Sequence, residues 1–346
     1  MRTVLRWVRK WWPGLIPLGL LWIWAAWANT FAWETDLAGR AATARRPPLS
    51  VRTLIARCAA RLRRAKVFFG HGTDNAWDEA AALVLHALRL PHTGSAALYR
   101  RQVGARAQER ARALVTRRIA ERVPAAYLTG VSWFAGVRIA VDARVLIPRS
   151  PLAELIERGF APWIDPARVR RVLDVGTGSG CIAIACARAL PRARVDAVDI
   201  SPAALAVARG NVRRHRLTRR VRLIASDYFR ALQGRTYDII VANPPYVGAR
   251  ELQGLPPEYR HEPQLALAAG ARGLDAVRII LKEAARHLQP RGLLIVEVGN
   301  TEHAVRRAYR QLPFLWLEFA RGGGGVFLLT REQLRTRHRA HGSRPL

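Results

Sequence analysis

The second half of this chain predicts an α/β fold built on a seven-stranded, mostly parallel sheet, with a small helical domain ahead of it and a β-hairpin between the two. Three observations carry that expectation. From about residue 165 onward, short β-branched runs alternate with helix-like stretches, the pattern of strands joined by crossover helices. The run Val172-Leu173-Asp174-Val175 ends in a glycine turn, Gly176-Thr177-Gly178-Ser179-Gly180. A second run, Tyr237 to Ala242, ends in Asn243-Pro244-Pro245-Tyr246.

Taken in order, residues 1–48 read as an apolar extension and linker. Trp11 to Trp33 carries no charge, and Arg2, Arg6, Arg9 and Lys10 precede it. An apolar run of about 23 residues is long enough to span a bilayer, and the basic flank would hold the N-terminus inside. That topology would take the rest of the chain away from a cytosolic cofactor. Pro13, Gly14 and Pro17 also weaken the first turn as a helix. An anchor, an interfacial helix and an accessory extension on a cytoplasmic enzyme all remain open, and the last is favoured. Residues 49–130 follow helical spacing, with Leu54, Ile55, Cys58 and Leu62 on one face and Ala80, Leu83, Val84 and Ala87 on another. Thr73 or Asp74 is expected to cap the second helix, and Gln108 to Arg122 to form a third. Residues 131–150 predict a β-hairpin that pairs Val137–Val141 with Val145–Ile147 around Asp142-Ala143. Residues 151–330 carry expected strands at 171–175, 195–199, 221–225, 238–242, 293–298, 315–320 and 326–330, the last two as an antiparallel hairpin. Helices are expected at 180–190, 202–215, 275–288 and 301–311. Residues 331–346 read as a basic, disordered tail.

The formal net charge is +32, and lysine occurs only at Lys10, Lys66 and Lys282, so the excess is almost all arginine. Such a surface favours polyanions, with ribosomal RNA a natural neighbour; a merely solvated arginine surface explains the composition equally well. Cys58, Cys181 and Cys186 have no metal-ligand spacing and cannot all pair, which fits reduced thiols. His71, His261 and His287 form no metal set by spacing; His71 and His261 read as loop supports.

The glycine turn is the expected cofactor loop, with Gly176, Thr177, Gly178, Ser179 and Gly180 as its candidate residues. Dinucleotide enzymes share such a turn. Here Asp174 stands just before it, where an acid would repel a pyrophosphate but suits a ligand carrying an ammonium and a sulfonium. S-adenosylmethionine is therefore favoured over NAD. Asp199, at the end of the next strand, is placed to accept from ribose hydroxyls, and Asp227 to accept from an adenine amine unless it only caps a helix.

Asn243-Pro244-Pro245-Tyr246 follows the fourth strand, at the sheet edge where such folds bind ligands. An amide or aromatic amine nitrogen is a poor nucleophile because its lone pair is delocalised. Two acceptors, the Asn243 side-chain oxygen and the Pro244 carbonyl, can hold both of its hydrogens and aim the lone pair at a methyl group. Two prolines stiffen the loop, and Tyr246 offers a flat face. Asn243, Pro244 and Tyr246 are thus the catalytic candidates, Asn243 to Tyr246 the substrate site, and Asn243 also touches the cofactor. A rigid strand-to-helix turn is the plainer alternative. The local chemistry leaves glutamine amides and exocyclic base amines equally open.

From about Ser50 to Thr330 the sequence resembles the protein-glutamine methyltransferases, which include a ribosomal-protein branch and a release-factor branch. Both share Pro124-Ala125-Ala126-Tyr127-Leu128-Thr129-Gly130, the stretch Val145 to Arg149, and the Asn-Pro-Pro-Tyr element. Three passages resemble the branch that acts on the third large-subunit ribosomal protein: Phe69 to Ala80, Pro148 to Ile156, and Leu255 to Pro263 followed by Arg272-Gly273-Leu274-Asp275. The family often carries Asp where this chain has Arg272. The resemblance implies a seven-stranded, Rossmann-like methyltransferase fold, S-adenosyl-L-methionine as cofactor, transfer to a glutamine side-chain amide of that ribosomal protein, and a helical domain that recognises the substrate. It implies cofactor contacts at Gly176 to Gly180, Asp199 and Asp227, and the glutamine on Asn243 to Tyr246. Release-factor methylation is the alternative, with nucleic-acid amine methylation behind it because no target-recognition domain is evident. Glu297 is expected to shape the pocket or cap the next helix, and Arg149 to position a carboxylate or form a structural ion pair.

Overall fold

A computed structural model describes residues 49–93 and 95–335. The apolar segment 11–33, with its expected membrane contact, and residues 336–346 of the basic tail lie outside the described residues. Among the described residues no helix is long and apolar enough to cross a membrane.

The helical region holds α1 (Val51–Arg64), α2 (Ala76–Leu88), α3 (Ala96–Arg100), α4 (Ala105–Glu121) and α5 (Ala125–Thr129). The Ser50 hydroxyl caps α1 by accepting from the Thr53 amide at 3.1 Å. Leu54, Ile55, Cys58 and Leu62 are buried, so the helical spacing read from the sequence is the buried face. The cap of α2 corrects the expectation of Thr73 or Asp74. Asn75 Oδ1 accepts from the Asp78 amide at 3.0 Å, while the Thr73 hydroxyl points to Glu79 Oε2 at 3.0 Å.

The hairpin also differs from expectation. It pairs β1 (Val131–Phe134) with β2 (Val137–Ala140) through a two-residue turn in which Ala135 and Gly136 have φ of 47° and 68°. Two positive φ values match the right-handed twist of the flanking strands. Val145 to Ile147, expected as the second strand, form no ladder; Val145 and Ile147 are buried as loop residues.

The main sheet contains β3 (Arg171–Val175), β4 (Arg194–Asp199), β5 (Val221–Ala225), β6 (Tyr237–Ala242), β7 (Leu288–Glu297), β8 (Leu315–Trp316) and β9 (Val326–Thr330). Its order is β8-β9-β7-β6-β3-β4-β5. β3 to β7 run parallel, and β9 joins antiparallel to both β7 and β8, as the sequence predicts for the final hairpin. The helices α6 (Leu152–Glu157), α7 (Cys181–Ala189), α8 (Pro202–Arg214), α9 (Ala249–Gln253), α10 (Asp275–His287) and α11 (Glu302–Ala308) complete the domain. Alternate residues of each strand enter different cores. Ile239 and Val241 join one cluster with Ile182 and Val207; Ile240 and Ala242 join the other with Ile280 and Leu281. Burial on both faces explains why these strands read as continuous apolar runs.

Strand order reverses between β3 and β6, the switch point at which ligands bind in open α/β sheets. There Val175 pairs with Ala242, so the glycine turn and the Asn-Pro-Pro-Tyr loop leave neighbouring strands at the same level. The stretch after β9, expected as disordered, begins with an ordered turn: residues 331–335 are helical, Leu334 is buried, and Glu332 accepts from the Arg291 amide at 3.0 Å.

Candidate functional site

One cavity of about 330 Å³ opens at the carboxyl ends of β3, β4 and β6. Gly176 to Ser179, Asp199, Asp227 and Asn243 to Pro245 all line it. The two motifs separated in sequence therefore share one space. The third wall is the connector between the domains, including Val145, Leu146, Arg149 and Ser150.

The glycine turn explains the cavity's ligand preference. Gly176 and Thr177 amides donate to Val198 O at 3.0 and 2.9 Å, and the Gly180 amide donates to Thr177 O at 2.8 Å. The Gly178 amide donates to Asp199 Oδ2 at 2.8 Å. A pyrophosphate loop needs free amides aimed at the ligand; four of these are already engaged. Gly178 holds φ of +54°, a conformation that strains other side chains. Asn211, fully buried on α8, clips the turn to the hairpin. Its side-chain amide donates to Ser179 O and Ala140 O, and its oxygen accepts from the Ala140 amide, each at 2.9 Å.

The acids divide into two roles. Asp199 lines the cavity, with Oδ1 also accepting from the Ser201 amide at 2.9 Å; burial raises its carboxyl above the ordinary range. Each carboxylate oxygen has a second acceptor position for a ribose hydroxyl. Beside it Ile200, 54% exposed, offers an apolar surface that sequence reading did not single out. Asp227 is exposed on the wall. Asp174 is placed differently from the expectation of cofactor contact. It has no exposed surface and stands behind the turn, where Oδ2 accepts from the Thr177 hydroxyl at 2.6 Å and the Ala183 amide at 3.1 Å. Burial pushes its carboxyl up to about 7, and Oδ1 is left without a hydrogen-bond partner. Gly180 likewise sits off the wall; a Cβ there would meet Ala208 Cβ at 3.2 Å, so this glycine permits helix packing. An acceptor-lined cavity with its turn amides engaged fits S-adenosylmethionine, whose ribose faces Asp199 and whose positive charges need no amide cradle.

The substrate loop is held from behind. Tyr246, expected as a face for the substrate, is not on the cavity wall. Its hydroxyl donates to Glu297 Oε1 at 3.3 Å, and its ring lies against Gly299, where a Cβ would stand 2.6 Å from Tyr246 Cε2. The Ser150 hydroxyl donates to Glu297 Oε2 and accepts from the Leu152 amide at 3.1 Å. Burial pushes Glu297 up to about 7, against the lowering effect of the Ser150 and Tyr246 hydroxyls. Both partners are hydroxyls, which donate or accept as the carboxyl requires. Glu297 therefore shapes the pocket, one of the two roles expected for it. Burial also keeps the Tyr246 phenol protonated by raising its pKa.

The segment after this loop carries two glutamates that tie it to different neighbours. Arg149 forms a bidentate pair with Glu262, both contacts at 2.6 Å, and Glu262 Oε1 also accepts from the Ile147 amide at 3.0 Å. Burial would raise the Glu262 carboxyl; His71 and Arg149 outweigh it and hold it at about 2. His71 stands 3.6 Å from that carboxylate and packs edge-on against Tyr259, a support role as expected. Arg118, fully buried on α4, donates to Glu79 at 2.6 Å, Glu258 at 3.1 Å and Phe68 O at 2.7 Å. Sequence reading missed Arg118 and Glu258, since nothing local distinguishes one arginine of an arginine-rich helix from the next. Nothing in the structure explains Arg272.

This fold and cavity define a methyltransferase that uses S-adenosylmethionine. Comparison with known proteins agrees: residues 159–254 match the methyltransferase small domain family, and residues 53–130 match the PrmC N-terminal domain family. A ribosomal protein uL3 glutamine methyltransferase from Bordetella pertussis is 48% identical over 83% of this chain and 97% of its own length. One of the same name from Neisseria meningitidis serogroup B is 49% identical over 82% of this chain and 94% of its own. The chain belongs to the ribosomal protein uL3 glutamine methyltransferase family.

Proposed function

We propose that this chain transfers a methyl group from S-adenosylmethionine to the side-chain amide nitrogen of a glutamine in ribosomal protein uL3, with Asn243 and Pro244 holding the amide. The observation that carries this reading is the shared cavity: Asn243, Pro244 and Pro245 line the same space as Gly176 to Ser179 and Asp199. The relatives' names supply the target class.

The bound cofactor supplies an electrophilic methyl on a sulfonium. Everything else is alignment. Asn243 Oδ1 and the Pro244 carbonyl accept the two amide hydrogens, which turns the NH2 plane and directs the lone pair along the line of attack. Holding both hydrogens also stabilises the positive charge that gathers on nitrogen as the bond forms. Two prolines fix the acceptors before the substrate arrives. Tyr246 and Glu297 act on the loop from behind and touch no reacting atom. We assign residues 49–130 to recognition of the protein substrate, which the match to the PrmC N-terminal domain and the Arg118 contacts to Glu258 both support.

Purified enzyme with methyl-labelled cofactor, offered uL3, a release factor and ribosomal RNA separately, tests the assignment. Label on a glutamine of uL3 is expected, and it is lost in Asn243→Ala while cofactor binding persists. Label on RNA or the release factor alone overturns it.

A further inference from the structure

A second concave surface lies at the opposite edge of the sheet. It is a groove of about 780 Å³ at the amino ends of β3, β4 and β5, lined by seven arginines and one carboxylate, Asp196. That carboxylate is engaged with Arg235 at 2.9 Å. Arg220 is engaged as well, donating to Leu190 O and Ala193 O at 2.6 and 2.7 Å. The other five, Arg171, Arg194, Arg209, Arg219 and Arg222, are exposed, and among the described residues none has a carboxylate partner. The sequence concentrates the charge further: between Ser201 and Ser226 there are seven arginines and no acid.

An edge strand such as β5 gains protection from unwanted pairing with a single exposed charge, and Arg222 alone would serve. Five unpaired guanidinium groups around one concavity repel each other and exceed that need. A repeating anion offsets the repulsion, and the planar guanidinium fork matches phosphate oxygens in particular. We propose that this groove binds the phosphodiester backbone of RNA. The inference deepens the proposed function and rests on it for the source of the RNA, since a ribosomal protein is presented among RNA. The geometry suits that use. β4 runs from Arg194 in the groove to Asp199 in the cofactor cavity, about 17 Å at the rise of a strand. Bound RNA would thus leave the glutamine entrance open.

The test uses the full chain and fluorescent 20-base-pair RNA and DNA duplexes, with binding followed by anisotropy over stepped salt. The triple variant R209A/R219A/R222A and the double variant R171A/R194A are compared with a control triple on α1, R52A/R57A/R64A, all with melting transitions checked. We expect the groove triple to lose about ten-fold or more in RNA affinity near 0.15 M salt, and its salt slope to fall by about two, as for three lost phosphate contacts. The double variant should shift the same way, the control by less than about three-fold, and methylation of free uL3 by the groove variants should stay at the parent level. Equal losses in groove and control variants would overturn the proposal, because charge would then act diffusely. So would binding of the DNA duplex with none of the RNA, or loss confined to anionic lipid vesicles or an acidic peptide run in parallel. The uL3 reaction separates the two readings: RNA binding lost with uL3 labelling kept upholds the groove, whereas label that goes elsewhere sinks only the function.

Discussion

The two edges of the sheet use arginine in opposite ways. At the carboxyl edge, Arg149 is bound to Glu262 through both terminal nitrogens and Arg118 is sealed between Glu79 and Glu258. At the amino edge, five guanidinium groups face solvent without a carboxylate. A buried, paired arginine fixes architecture, because an uncompensated charge cannot stay inside. An exposed, unpaired one is available to a partner. Net charge alone conceals this division.

The comparison breaks most severely if Arg118 proves dispensable. Arg118→Ala leaves two carboxylates buried without their counter-charge, and we expect a loss of about 3–5 kcal/mol in denaturant unfolding; a loss below 1 kcal/mol would refute its role as a strut. Next comes the loop that the struts support. Asn243→Ala should lower methylation of uL3 by roughly 10²–10³-fold, the scale for removing one aligned polar contact, with cofactor affinity measured by calorimetry nearly unchanged. A third experiment uses pH. Glu297 titrates near 4.5 when unfolded and about 7 in the fold, so its neutral form stabilises the protein fully below pH 4.5, and that contribution disappears as pH rises through 7. Glu297→Gln should remove this dependence and gain about 2–3 kcal/mol relative to the parent between pH 4.5 and pH 8; parallel urea-stability profiles would show that the carboxyl is not neutral. Asp174, also near 7, contributes a slope of the same sign to both proteins and cancels in the difference. The smallest effect is expected for Tyr246→Phe, which removes one 3.3 Å contact and keeps the ring: less than about ten-fold in rate.

Much of the carboxyl edge was legible beforehand because its signals are local. Gly176 to Gly180 and Asn243 to Tyr246 are contiguous motifs at strand ends, and fully buried strands read as apolar runs. What escaped depends on distant partners. Arg118 meets Glu258 across 140 residues and Arg149 meets Glu262 across 113, separations with no period to detect. The hairpin was misplaced because Val145 to Ile147 carry the apolar pattern of a strand while serving as a packed wall. Asp174 was read correctly as belonging to the turn but assigned to its front, since sequence cannot tell which side of a backbone a carboxylate occupies.

The pairing of Val175 with Ala242 has a metric consequence. β3 and β6 serve as the two rails of a gauge: one carries the methyl donor's seat, the other the acceptor's, and backbone ladder bonds lock the rails together. A slip of one residue would displace the seats by about 3.3 Å, as large as the entire approach distance of two reacting atoms. Single-residue insertions within either strand should therefore silence the enzyme even where the chain still folds.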